Sequence, residues 1–131
     1  MAEPLVYVDT SEVRPGRLAA LKVAVAELAE FVEANEPRPF SYAVFFNADE
    51  TRMTVVHVHP DSASLEEHMR VAGPLFPKFR DLVRLLSIHV YGTPSPSLVD
   101  QLKGKAKALG AGDVVVHAPH AGFFRFGRAR P

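Results

Sequence analysis

RMTVVHVHPDSASLEEHM, residues 52–69, changes its period halfway through. Residues 52–59 are rich in β-branched side chains and read as a strand. Beyond Pro60, Leu65, Met69 and Ala72 fall at spacings of four and three, which is one line along a helix. Asp61, Ser62 and Ser64 can each cap that helix, and Ser64 with Glu67 has capping-box spacing. Side chains alternate across a strand, so Met53, Val55, His57 and His59 share one face while Thr54, Val56 and Val58 share the other. Three of the six histidines, His57, His59 and His68, therefore lie on one strand face and on the helix that follows it.

Working outward, FSYAVFFN (40–47) and RMTVVHVH (52–59) flank the polar ADET (48–51), the pattern of a hairpin. Upstream, Leu18, Leu21, Val25, Leu28 and Val32 form the apolar stripe of a first helix. Pro15 suits its first turn, and Pro37 and Pro39 end it near Asn35. LVYVD (5–9) is a first strand, with Val6 and Val8 opposing Leu5, Tyr7 and Asp9. Gly73-Pro74 stops the second helix, LFPKFRDLV adds a short helical turn, and LLSIHVYG (85–92) is a fourth strand. On it Leu86, Ile88 and Val90 oppose Leu85, Ser87, His89 and Tyr91. The order β-α-β-β-α-β is the split βαβ arrangement of a ferredoxin-like α+β domain over residues 1–92. Residues 93–131 form a C-terminal extension: a TPSPS linker, a helix with Ser97 as cap and Gly110 at its end, and a strand that could pair with another subunit.

The 131 residues fit one domain with a modest core. Fifteen basic residues balance fifteen acidic ones, which offers no electrostatic attraction for nucleic acid or an anionic membrane. Cysteine is absent, excluding disulfides, thiolate metal sites and a cysteine nucleophile. No apolar run approaches the roughly 20 residues that span a bilayer, and the N-terminus lacks signal-peptide character. The expected location is the cytoplasm.

Two helices can cover only one face of a four-stranded sheet. A bare face of Val and Ile is an association patch, so a homodimer packed through the aliphatic faces is expected. The mixed faces then look at the helices and enclose a pocket of Tyr7, Asp9, His57, His59 and His68. H-x-H sets two imidazoles roughly 6.5–7 Å apart at their bases. With Asp9 or His68 they could chelate a divalent metal, an alternative to the metal-free site favoured here. His117 and His120 read as a solvated loop. The glycines and lysines of GKAKALGAG (104–112) lack the strand-to-helix setting of a phosphate cradle.

VRPGR (13–17) before the first helix, together with residues 52–69, resembles the antibiotic biosynthesis monooxygenases, a family of dimeric α+β barrels. Their members often run strand, short turn, then a helix bearing a histidine, with tryptophan commonly about nine residues earlier. Here His59 stands in that place and His68 follows at +9. Asp9 falls where some members carry asparagine. The resemblance implies a cofactor-independent oxygenase acting on a phenolic, quinol or polyketide-type aromatic substrate. The alternative is a non-catalytic homodimer that binds a hydrophobic small molecule or haem. His68 would be the base, since an imidazole near pKa ~6.5 can take a phenolic proton at neutral pH. His59 would hold the substrate oxygen and Asp9 would orient the base. Tyr7, His57, Met69 and Phe76 would bind an aromatic ligand.

Overall fold

The computed structural model describes residues 3–110 and 112–125. Five strands and three helices follow one another as β1 (Leu5–Val13), α1 (Leu18–Asn35), β2 (Ser41–Phe46), β3 (Arg52–His59), α2 (Ser62–Ala72), a 3-10 segment (Gly73–Asp81), β4 (Val83–Tyr91), α3 (Pro96–Leu109) and β5 (Asp113–His117). The sheet order is β2-β3-β1-β4-β5. The first four strands are antiparallel to their neighbours, and β5 runs parallel to β4. This is the expected ferredoxin-like core, with β4-α3-β5 added as a parallel unit. The tail strand pairs within its own chain. No helix among the described residues is long and apolar enough to cross a membrane.

Leu21, Val25, Leu28 and Val32 of α1 are buried, as their spacing requires. On transfer energies each such side chain contributes roughly 1.5–3 kcal/mol of burial. Pro15 lies in a turn ahead of α1, which begins only at Leu18. The caps also differ from expectation. Asp61 caps α2 by accepting from the Ser64 amide at 2.9 Å, and this leaves the Ser64 hydroxyl free for another partner. Ser95, with Pro96 behind it, caps α3 in place of Ser97.

The mixed faces of β1 and β3 do look at the helices: Leu5, Tyr7, Asp9, Ser11, Met53, Val55, His57 and His59 are all buried. β4 departs from its simple alternation. Thr10 pairs with Ser87 and Ser11 with Leu85, so Leu86 is an extra residue, a β-bulge. The bulge flips the phase, so Leu85, Ile88 and Val90 point together into the core, opposite Ser11, Asp9 and Tyr7. His89 and Tyr91 go to the uncovered face. There His117 of β5 joins them, its Nε2 2.8 Å from His89 Nδ1 and its ring stacked 4.4 Å from Tyr91. His117 is thus a strand residue with partners, not part of a solvated loop. His120 is exposed.

The α3–β5 connection passes hard against the bulged strand. A Cβ at Gly112 would meet the Leu86 carbonyl carbon and oxygen at 2.6 Å, both backbone atoms that cannot swing aside. Gly112→Ala is therefore expected to destabilise the fold by on the order of 2 kcal/mol or more, read as a lowered urea midpoint. Gly104→Ala, in open space within α3, should stabilise by up to ~1 kcal/mol.

Candidate functional site

Between the sheet and the helices lies a core that is unusually polar. His57, His59 and His68 are 1%, 0% and 1% exposed, and Asp9 and Glu36 are each 5% exposed. Buried polar groups of this kind need partners, and they find them in three sets.

The first set is on β3. His57 Nδ1 lies 2.8 Å from His59 Nε2, and His59 Nδ1 lies 2.8 Å from Ser64 Oγ. Between the two imidazoles one nitrogen donates and the other accepts, and the Ser64 hydroxyl completes the chain from strand to helix through neutral rings. Burial first, then the neighbouring His68 and His59, pushes His57 well below the ordinary histidine range. Burial, with His68 close by, brings His59 down to about 3.

The second set joins α2 to the end of α1. His68 Nδ1 lies 2.9 and 3.0 Å from the two oxygens of Glu36. A carboxylate only accepts, so Nδ1 carries the hydrogen and donates it. His68 Nε2 is buried with no hydrogen-bond partner among the described residues. The His68 ring lies beside those of His57 (centroids 4.8 Å), Tyr42 (5.7 Å) and Phe76 (5.8 Å).

The third set is built on β1 and α3. The Tyr7 hydroxyl donates to Asp9 Oδ2 at 2.6 Å, and Lys105 Nζ donates to the Tyr7 hydroxyl at 2.8 Å while standing 3.4 Å from Asp9. The ammonium also sits 4.4 Å from the Phe76 ring centroid. Burial, reinforced by the Asp9 charge, raises Tyr7 far above the ordinary phenol range and keeps it a donor. Burial lowers Lys105, and Asp9 opposes that shift. Tyr42 is raised by burial, then by the charges of Asp9 and Glu36, between which it stands.

A cavity of about 40 Å³ adjoins these groups, walled by Asp9, Ser11, Tyr42, Phe76, Lys105 and aliphatic side chains. That is room for about three water molecules. The three histidines converge as expected, but on one another behind Tyr42 and Phe76, and none of them lines this cavity. Asp9 does not orient His68; it pairs with Tyr7 and Lys105, and Glu36 takes the orienting place. Tyr7 and His57 are packed in the cluster, Phe76 lines the cavity, and Met69 packs against the core beside it. Among the described residues no group of three or more His, Cys, Asp or Glu has the geometry to hold a metal ion. His57 and His59 spend their facing nitrogens on each other.

Glu36 and Lys105 escaped the motif reading, yet both carry a signal. Glu36 continues the α1 stripe four residues past Val32. Lys105 falls on the buried line of Leu98, Leu102, Ala106 and Leu109 in α3. A charged residue on an apolar stripe is a buried charge in waiting.

Solved structures place this architecture. MupZ from Pseudomonas fluorescens superposes with a TM-score of 0.72 at 20% identity, covering 94% of this chain and 95% of that one. SnoaB from Streptomyces nogalater, a cofactor-independent oxygenase, gives 0.61 at 18% identity over 72% of this chain and 96% of its own. A candidate antibiotic biosynthesis monooxygenase from Bacteroides thetaiotaomicron gives 0.55 at 20% identity over 63% and 83%. The chain has the antibiotic biosynthesis monooxygenase fold. No family model and no curated protein matches the sequence. The MupZ match is long enough to take in α3 and β5, so this version of the fold, with its extra helix and strand, is shared. It is α3 that brings Lys105 to the site.

The neutral buried rings make stability depend on pH. Unfolded, His57 and His59 take up protons below about pH 6.5; folded, His59 does so only at about 3 and His57 also well below its ordinary value. Between those limits the unfolded chain binds more protons, so stability is full above about pH 6.5 and falls as the pH drops toward 3, by up to ~1.4 kcal/mol per pH unit for each ring. Melting temperatures between pH 7.5 and 4.5 should show this decline, shallower in His59→Gln. A flat wild-type profile contradicts the assignment of neutral rings.

Proposed function

We propose that this chain is a cofactor-independent monooxygenase acting on a phenolic, quinol or polyketide-type aromatic substrate, with His68 as its general base. The observation that carries the reading is the His68–Glu36 pair: Nδ1 is fixed on a buried carboxylate while the buried Nε2 has no partner among the described residues. That is the arrangement of a base whose tautomer has been chosen for it. The fold shared with SnoaB, described as a cofactor-independent oxygenase, supports the same class of reaction.

An oxygenase with no cofactor must draw its electrons from the substrate. Nε2 of His68 takes the proton from the substrate hydroxyl or from the carbon beside it. The imidazolium formed is stabilised by Glu36. The phenolate or carbanion, now electron-rich, passes an electron to dioxygen, and the two radicals recombine at carbon. Loss of water from the hydroperoxide leaves one oxygen atom on the product. Lys105, held by Asp9 and the Tyr7 hydroxyl, supplies the positive charge and the N–H donor that steady the negative oxygen.

Oxygen uptake with a panel of quinols and anthrone-type phenols tests this. Wild-type protein should consume oxygen with at least one of them. His68→Gln should lose about 10²–10⁴ in rate, and the exposed-loop control His120→Gln should not. Uptake by His68→Gln equal to wild type rules out His68 as the base.

The homodimer belongs to the same reading. The uncovered sheet face presents Val6, Val8, Val56 and the 55% exposed Phe45, and an apolar face of that extent favours a second copy. Light scattering should give a dimer mass for the wild type and a monomer for Val8→Lys/Val56→Lys. A wild-type monomer removes the proposal.

A further inference from the structure

The cavity of about 40 Å³ beside Asp9 and Lys105 cannot take an aromatic ring, let alone a polyketide. A second hollow can. An open cleft of about 450 Å³ lies between the end of α1 and β2, lined by Glu30, Glu33, Glu36, Pro37, Phe40, Tyr42 and their neighbours. Ligand pockets of this size, roughly 300–1,000 Å³, suit a small organic molecule. Glu36, the partner of His68, and Val32 are its buried members.

Tyr42 is common to both hollows. Its ring lies against His57 and His68 at 4.8 and 5.7 Å, so one side chain both lines the cleft and packs on the histidine cluster. Nothing among the described residues hydrogen-bonds its hydroxyl, and the residue is only half-buried. It sits on β2, an edge strand of the sheet, paired on one side alone. A rotation of this ring requires no buried hydrogen bond to break.

We propose that the α1–β2 cleft is the substrate-binding pocket and that the Tyr42 ring is the partition which, when it swings aside, joins the cleft to the inner cavity and opens His68 Nε2 to the bound molecule. The proposal rests on the reading of His68 as base. The merged space has an acidic rim, from the exposed Glu30 and Glu33, and an inner end made by His68, Asp9 and Lys105. Carboxylates at the mouth repel anions, so the molecule admitted is an uncharged hydroxylated aromatic, which loses its proton only inside.

Diethyl pyrocarbonate, which acylates unprotonated imidazole, reads the partition without any turnover. Its attack at residue 68, followed by mass-spectrometric mapping, should be slow in wild type and Tyr42→Phe and at least tenfold faster in Tyr42→Ala. If Tyr42→Ala, with native circular dichroism, is modified no faster than wild type, or if Tyr42→Phe is modified as fast as Tyr42→Ala, the partition is wrong. The pocket is read separately by fluorescence titration. Neutral 2-naphthol should bind wild-type protein and lose at least tenfold in affinity in Ala29→Arg, which fills the cleft, while 2-naphthoate should bind at least tenfold more weakly. Unchanged 2-naphthol binding in Ala29→Arg, or equal binding of the two probes, overturns the assignment of the cleft. These measurements stand whether or not the protein consumes oxygen, so failure of the base assignment and failure of the pocket are told apart.

Discussion

Glu36 has almost no contact with water, and a carboxylate in that position must be paired or it destabilises the fold by several kcal/mol. Its pair is His68, 32 residues later. The bond pins the end of α1 to the second turn of α2, and much follows from where it is placed. It fixes which His68 nitrogen carries hydrogen, and so leaves Nε2 as the free one. It also holds the two helices of the ferredoxin-like core over the sheet at the point where His57 and His59 come up from β3. The ring pair beneath is satisfied in turn by the Ser64 hydroxyl, which is available because Asp61, not Ser64, caps the helix.

The site thus has two polar centres of different character. At the His68–Glu36 centre the charged partner is behind the ring and the reactive nitrogen faces apolar and aromatic groups. At the Asp9–Tyr7–Lys105 centre the charges are matched, so the ion pair keeps an ammonium in a place where burial alone would favour the neutral amine. In the proposed reaction the first centre removes the proton and the second, one aromatic side chain away, holds the anion. Fold alone does not choose the chemistry; these side chains do.

Much of the architecture was legible because burial imposes its period on the sequence. The stripe of α1, the change from strand to helix at Pro60 and the order of the first four strands all follow from that rule. The bulge at Leu86 was not legible, since one additional residue leaves composition and propensity unchanged while reversing every side chain beyond it. That reversal moved His89 and Tyr91 to the open face. Within the site, the convergence of the three histidines could be read from strand alternation and helix position. Their pairing could not, because whether a ring nitrogen meets a neighbouring ring, a hydroxyl or a carboxylate depends on rotamers and distances that no sequence pattern fixes. Glu36 and Lys105 were readable in principle, as charges on otherwise apolar stripes.

The parallel strand β5 also decides how copies of this molecule can aggregate. It pairs with Ser87–Tyr91 of the nine-residue β4 and takes over as the edge on that side, where it is only five residues long. On the opposite flank β2 is six residues long and is preceded by Pro37 and Pro39, which lack donors and resist being recruited into a growing ladder. Both margins of the sheet are therefore short strands, of five and six residues, which gives end-to-end pairing into fibrils little to build on even though the sheet carries a broad apolar surface.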